Sequence, residues 1–263
     1  MKNIILIALL LVGFGASAQI TDTNKNGQKD SVKKDVPQAP DTVKHSHNKA
    51  WSYVPPVALV AYGGLSFVVH PIRRIDYYFR DRIQRSAPNY NSKVDDYLQL
   101  APGILVYALN LVGDEGKNRF ADRSAMLALS AVILTGADGL KYLGHRVRPV
   151  GTSPLSFPSG HTGAAFVAAE FLAQEYGEKS VWYSVVGYTC ASVTGVMRMY
   201  NRAHWFSDCV AGAGLGILSV KASYWLYPRI KKALTHTDKH GRSTTIVPSY
   251  QYGVPGMSFA MQL

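Results

Sequence analysis

The sequence predicts an all-α protein: a single bundle of about six core helices, embedded in a membrane. Three observations carry this expectation. Apolar residues make up 47% of the 263 positions and charged residues only 17%, which is rich in the first and poor in the second for a soluble domain. Six apolar stretches follow one another, at residues 54–69, 97–112, 125–137, 162–173, 181–197 and 209–226. They are rich in Ala, Leu, Val and Gly and lack the strict alternation of a half-buried strand. Several are apolar around most of a helical circumference, as a buried core helix or a membrane span must be. Most run to roughly 16 to 18 residues, the lower limit for a span.

Taken in order, the chain opens with Met1-Lys2-Asn3, an apolar run from Ile4 to Val12, and small residues ending at Ala16 and Ala18. A positive start, a short apolar core and a small-x-small ending describe an export signal, assigned to residues 1–18 with cleavage after Ala18. A retained anchor is the alternative, though the run is short for a span. Residues 19–50 are polar, poor in aromatics and rich in Lys, Asp, Asn and Pro, which predicts a linker. Within it, residues 22–30 fit the first nine positions of a calcium loop. The position that needs a bidentate Glu is Lys33, and Lys25 and Lys29 further oppose a dication. His45 and His47 are read as ordinary linker histidines.

Residues 51–232 form the expected helical domain. Between its first two apolar stretches lies a basic run, Arg73, Arg74, Arg80, Arg82 and Arg85, suited to anionic headgroups or simply to solvent. The stretch after Thr162 carries Glu170, Gln174 and Glu175, the least membrane-like of the six. Two cysteines, Cys190 and Cys209, fall about two helical turns out of level, which excludes a disulfide and predicts two buried thiols. Residues 233–263 are a polar C-terminal tail, in which partial alternation after Ile246 suits a hairpin.

The net charge of +11, from 28 Lys+Arg against 17 Asp+Glu, points to an anionic partner. The basic residues are spread along the chain without a nucleic-acid-binding motif, so phosphate groups and anionic lipid are expected and nucleic acid is not. Three clusters at the ends of the apolar stretches suit phosphate. The first is Lys141-x6-Arg148-Pro149, with His145 and Arg146 between. The second runs Ser156-Phe157-Pro158-Ser159-Gly160-His161-Thr162 into a helix, whose N–H groups bind an anion without side chains. An ordinary N-cap would look the same. The third is Arg198-x5-His204-x3-Asp208. If local structure is helical, His204 and Asp208 share a face, and the carboxylate can take one imidazole N–H while the other nitrogen stays free. Lys141, Arg148 and Arg198 supply positive charge where a phosphoryl group in transfer needs it.

Together these residues resemble the type-2 phosphatidic acid phosphatase superfamily, which includes bacterial class A acid phosphatases and vanadium haloperoxidases. Its pattern, K-x6-RP, then PSGH, then SR-x5-H-x3-D, is matched in order and spacing by Lys141 to Pro149, Pro158 to His161 and Arg198 to Asp208. Met197 stands where the pattern has Ser, which removes a hydroxyl but no charge. The resemblance implies that His204 attacks phosphorus and Asp208 orients it. It implies that His161 protonates the leaving oxygen, and that Lys141, Arg148, Ser159, Gly160 and Arg198 bind the phosphate oxygens. No metal and no cofactor are implied. The expected substrate is a phosphorylated membrane lipid of the lipid A, undecaprenyl diphosphate or phosphatidylglycerophosphate type. A soluble periplasmic acid phosphatase and a vanadate-dependent haloperoxidase are the alternatives. The expected location is a bacterial inner membrane with the site facing the periplasm. A cleaved signal followed by six full spans would instead put the motifs in the cytoplasm, whereas five spans would put them outside. Oligomeric state is not legible.

Overall fold

The computed structural model describes residues 49–237, 243–251 and 254–262. The expected signal and the linker up to residue 48, with its calcium-loop-like run and His45 and His47, lie outside the described residues.

After a short turn at Lys49–Tyr53, helix α1 spans Val54–Leu65, opening on Pro55 and Pro56, where a missing N–H costs nothing. Helix α2, His70–Ser86, turns away from it by 88°. Then come α3 (Val94–Leu98), α4 (Ala101–Leu111), α5 (Phe120–Ala137) and α6 (Leu140–Gly144). Helices α7 (Gly160–Tyr176), α8 (Val181–Tyr200) and α9 (Phe206–Leu234) complete the bundle. All six apolar stretches are mainly helical, but 97–112 is divided between α3 and α4 by a turn at 99–100 and 54–69 leaves the helix after Leu65. The basic run adds a seventh long helix, α2, whose inward face buries Asp76 and Ile83. Beyond α9, strands β1 (Thr235–Thr237), β2 (Ser243–Gln251) and β3 (Val254–Gln262) pair antiparallel in that order, so the alternation after Ile246 does form a hairpin.

Helix α7 is the centre. Ala165, Phe166, Ala169, Phe171, Leu172 and Tyr176 are buried on it, packed by Tyr188 and Ala191 of α8 and by Val210, Ala213 and Ile217 of α9. The seams are lined with small residues. A Cβ on Gly212 of α9 would lie 2.5 Å from the Ser159 carbonyl oxygen, so only glycine admits this approach.

Cross-contacts fix the direction of each core helix. Gly63 meets Ala211 while Pro56 meets Gly214, so α1 climbs towards the start of α9. Ser130 meets Ser223 and Gly160 meets Lys141, so α5 climbs the same way. The six long core helices alternate, and residue 49 lies at the end of the bundle opposite the start of α7.

Two described segments, Phe120–Gly144 and Phe206–Ala233, are long and apolar enough to cross a membrane, and the bent pair α1 and α2 makes up to three. Apolar side chains cover the outside of the bundle, among them Val57, Ile104, Val132, Val181, Trp182 and Trp225. A soluble monomer does not expose so many large hydrophobic side chains together. The carboxylates of α7 do not oppose this. Glu170 is buried with Lys221 at 3.3 Å and Gln174 at 2.7 Å. Glu175 accepts from Asn118 at 2.7 Å and Tyr224 at 2.5 Å. Both point inward and are partnered, which is how ionisable groups persist inside a membrane protein.

Both thiols are free, Cys209 fully buried and Cys190 only partly so.

Candidate functional site

The cavity-facing end of the bundle gathers the three expected clusters. Residues 201–205, between α8 and α9, are a turn rather than helix, so His204 precedes α9. This breaks the expected pairing on one helical face. Asp208 turns back instead to cap the turn, accepting the Trp205 N–H at 2.9 Å and the Ser156 hydroxyl at 2.5 Å. The His204 ring nitrogen Nδ1 lies 2.7 Å from the Ser156 carbonyl and 3.9 Å from Asp208 Oδ2. A carbonyl can only accept, so Nδ1 carries the hydrogen and Nε2 keeps its lone pair. Asp208 thus connects to His204 through Ser156, not by a direct hydrogen bond.

Electrostatics at His204 follow from this burial. Desolvation pushes the imidazole down from 6.5 to about 3, helped by the positive charges of Arg198, Arg148 and Lys141 and opposed by the Ser156 carbonyl. Arg148 Nε and Arg198 Nε are buried without a hydrogen-bond partner. Buried guanidinium donors of this kind are groups that an anion can satisfy.

The second cluster forms the start of α7. Ser159 is its N-cap, sharing a 2.9 Å hydrogen bond with the Thr162 hydroxyl, and the Phe157–Pro158 peptide before it is cis. The Ser159 N–H is held by the Asp208 carbonyl at 3.1 Å, which ties this cluster to the third. At Gly160 a Cβ would come 3.1 Å from Lys141 Nζ, so glycine lets the lysine reach the helix start. Lys141 also bonds Asp138 at 2.5 Å. His161 follows, partly exposed, with Nε2 2.9 Å from Asp96 Oδ1, and the same oxygen lies 4.0 Å from Arg198 Nη1. All eight expected residues, Lys141, Arg148, Ser159, Gly160, His161, Arg198, His204 and Asp208, lie at this one end of the bundle.

Several further residues build the site and were not expected to. Arg146 is its hub. Nη1 reaches Asp208 and Ser207 at 2.7 Å each and Ser66 at 3.2 Å, while Nη2 reaches Asp76 at 2.5 Å. Asp76, fully buried, also accepts the Ser207 N–H at 2.9 Å. Arg146 was visible between Lys141 and Arg148, but nothing in its spacing tied it to Asp76, seventy residues away. Asp95 pairs with Arg198 at 2.8 Å, again across a separation that local pattern cannot read.

Beside the site opens a cavity of about 320 Å³ lined by Phe67, Arg73, Tyr77, His145, Arg146 and Trp205. The Trp205 indole donates to the Val147 carbonyl at 2.8 Å and stands edge-on to Tyr77 at 5.4 Å. His145 has φ of 42°, the left-handed conformation a histidine seldom adopts, at the end of α6.

Lys, Arg, Ser-Gly-His and Arg-His-Asp clusters thus meet around one buried imidazole at the end of a helical bundle. Residues 124–232 match the family model of the PAP2 superfamily. Over 144 residues it is 41% identical to a Lipid A 1-phosphatase of Porphyromonas gingivalis, covering 53% of this chain and 32% of that protein. Over 75 residues it is 35% identical to the bacitracin transport permease protein BcrC of Bacillus licheniformis, covering 28% of this chain and 35% of that one. The chain thus matches about a third of the length of these curated relatives. Among solved structures it is similar to the transmembrane PAP2 type phosphatidylglycerolphosphate phosphatase from Bacillus subtilis. That similarity has 20% identity and a TM-score of 0.43, covering 67% of this chain and 98% of that one.

Proposed function

We propose that this chain is a membrane phosphatase that removes phosphate from a phosphorylated lipid, with a phosphohistidine formed on His204. One observation carries the reading: a neutral, buried imidazole with a free Nε2, next to two buried guanidinium donors that have no partner. In the first step Nε2 attacks phosphorus while Lys141, Arg148, Arg198 and the N–H groups at Gly160 hold the equatorial oxygens. His161 gives its proton to the leaving oxygen, and in the second step takes one from the attacking water. No step of this chemistry calls for a metal. The relative named for lipid A, the exposed apolar belt and the two spanning segments support a lipid as substrate. The cavity lined by Phe67, Tyr77 and Trp205 offers room for the part of the substrate that carries the phosphate.

The site faces the periplasm in this reading. The opposite end of the bundle carries Arg229, Lys231 and Lys232, which the positive-inside rule favours in the cytoplasm, although the same rule counts against the arginines of α2 at the site end. Because the core helices alternate, residue 49 then lies on the cytoplasmic side as well. A cleaved export signal together with six full crossings is not compatible with that orientation.

The test is phosphate release by purified wild-type and His204→Ala protein from a panel of lipid A, undecaprenyl diphosphate, phosphatidylglycerophosphate and water-soluble phosphoesters. The reading requires release from at least one lipid, abolished by the substitution in protein that melts like wild type. Activity confined to soluble esters, or retained in the variant, would overturn it.

A further inference from the structure

Among the described residues, Asp96 is the one carboxylate that touches the expected proton donor, His161. It stands on α3, a five-residue helix fixed at the mouth of the site by two ties. Its neighbour Asp95, fully buried, accepts from Arg198 at 2.8 Å and from the Asn201 amide at 3.2 Å. Asn201 in turn clasps Ser92, receiving its N–H at 3.0 Å and donating to its carbonyl at 2.8 Å. Asp96 is thereby presented to the start of α7, with Oδ1 2.9 Å from His161 Nε2.

The chemistry of that contact is determinate. An ionised carboxylate can only accept, so Nε2 carries a hydrogen and Nδ1 is the ring nitrogen left to serve the substrate. We infer that Asp96 is a positioning residue for leaving-group protonation. It fixes the His161 ring so that Nδ1 faces the ester oxygen, and it attracts the positive charge the ring holds when it carries both protons. In the step concerned the His204 Nε2–P bond forms and the P–O bond to the leaving group breaks. The proton on His161 Nδ1 passes to that oxygen as it departs, and the ring is left neutral with Nε2–H still directed at Asp96. The other charges around His161 are cationic Lys141 at Gly160, paired with Asp138, and Arg198, paired with Asp95. Those carboxylates are already committed to their cations, and among the described residues Asp96 alone is directed at the ring.

This inference rests on the phosphatase reading, and leaving-group dependence separates the two. kcat/KM covers the steps through departure of the leaving group. An alkyl oxygen needs a proton to leave, whereas p-nitrophenolate does not. In detergent-solubilised full-length protein, Asp96→Asn should lower kcat/KM for an alkyl phosphate on the order of 10- to 100-fold. The loss on p-nitrophenyl phosphate should be several-fold smaller. His161→Ala should show the same asymmetry, and the double variant should be no worse than His161→Ala alone, because both act through one ring. Equal losses on both substrates, no loss at all, or additive losses in the double variant would remove Asp96 from this role and leave the phosphatase reading standing. Wild-type protein that releases phosphate from neither ester nor lipid would fell both.

Discussion

Burial and the cations near it hold His204 neutral, the form the proposed mechanism needs, and the same balance has a consequence for stability. An unfolded chain would protonate this ring near its ordinary value of 6.5, while the folded one resists down to about 3. Between those two values the unfolded state binds a proton that the native state does not, so stability falls as the pH falls through that window and is unaffected above it. His204→Gln has no such group. Followed from about pH 7.5 to about pH 4.5, the thermal midpoint of wild type should fall further than that of the variant. Parallel curves would mean that the folded ring protonates as freely as the unfolded one. At the same scale, Asp208 was legible as a partner of His204 but not in its actual role. Helical spacing predicted a direct bond, and the turn at 201–205 replaced it with one relayed by Ser156.

At the scale of elements, the site depends on α9 lying against the start of α7 with almost no side chain between them. Adding a methyl group at Gly212 would bring it 2.5 Å from the Ser159 carbonyl, a backbone atom that cannot rotate aside. Gly212→Ala should therefore destabilise the protein by about 1–3 kcal/mol. It should also lower phosphate release in what remains folded, because the displaced helix start carries Gly160 and His161. A variant with wild-type melting and turnover would show that the two helices can part without disturbing the site. Helix α2 makes the complementary point. Its sequence reads as a basic amphipathic segment, yet what fixes it is the buried pair Asp76 and Arg146, which joins it to Asp208. The exposed remainder, Arg74, Tyr78, Arg82 and Arg85, is turned outward.

The whole molecule presents an apolar belt and a polar site at one end, and its orientation in a bilayer can be measured. Single cysteines introduced at exposed Glu178, between α7 and α8, and at exposed Asn89, beside α3, lie at opposite ends of the bundle. In intact cells a membrane-impermeant maleimide should label residue 89 and spare residue 178. The reverse pattern would place the site in the cytoplasm. The two native cysteines, partly or fully buried, should contribute little background.

The helical class, the six apolar segments and the eight residues gathered at one end of the bundle were readable along the chain, because periodicity and fixed spacing are local properties. Charge in otherwise apolar surroundings pointed as well to an anionic ligand. What those residues touch was set by the packing of the helices against one another. The relay through Ser156, the Arg146–Asp76 hub, the grip of Asp95 on Arg198 and the contact of Asp96 with His161 each join positions tens of residues apart. Glu170 and Glu175 belong here too: hydropathy reads them as water-facing, and their burial depends on partners in α8, α9 and the loop before α5. A side chain's partners are set by the packing of whole helices, and no spacing within one segment encodes that.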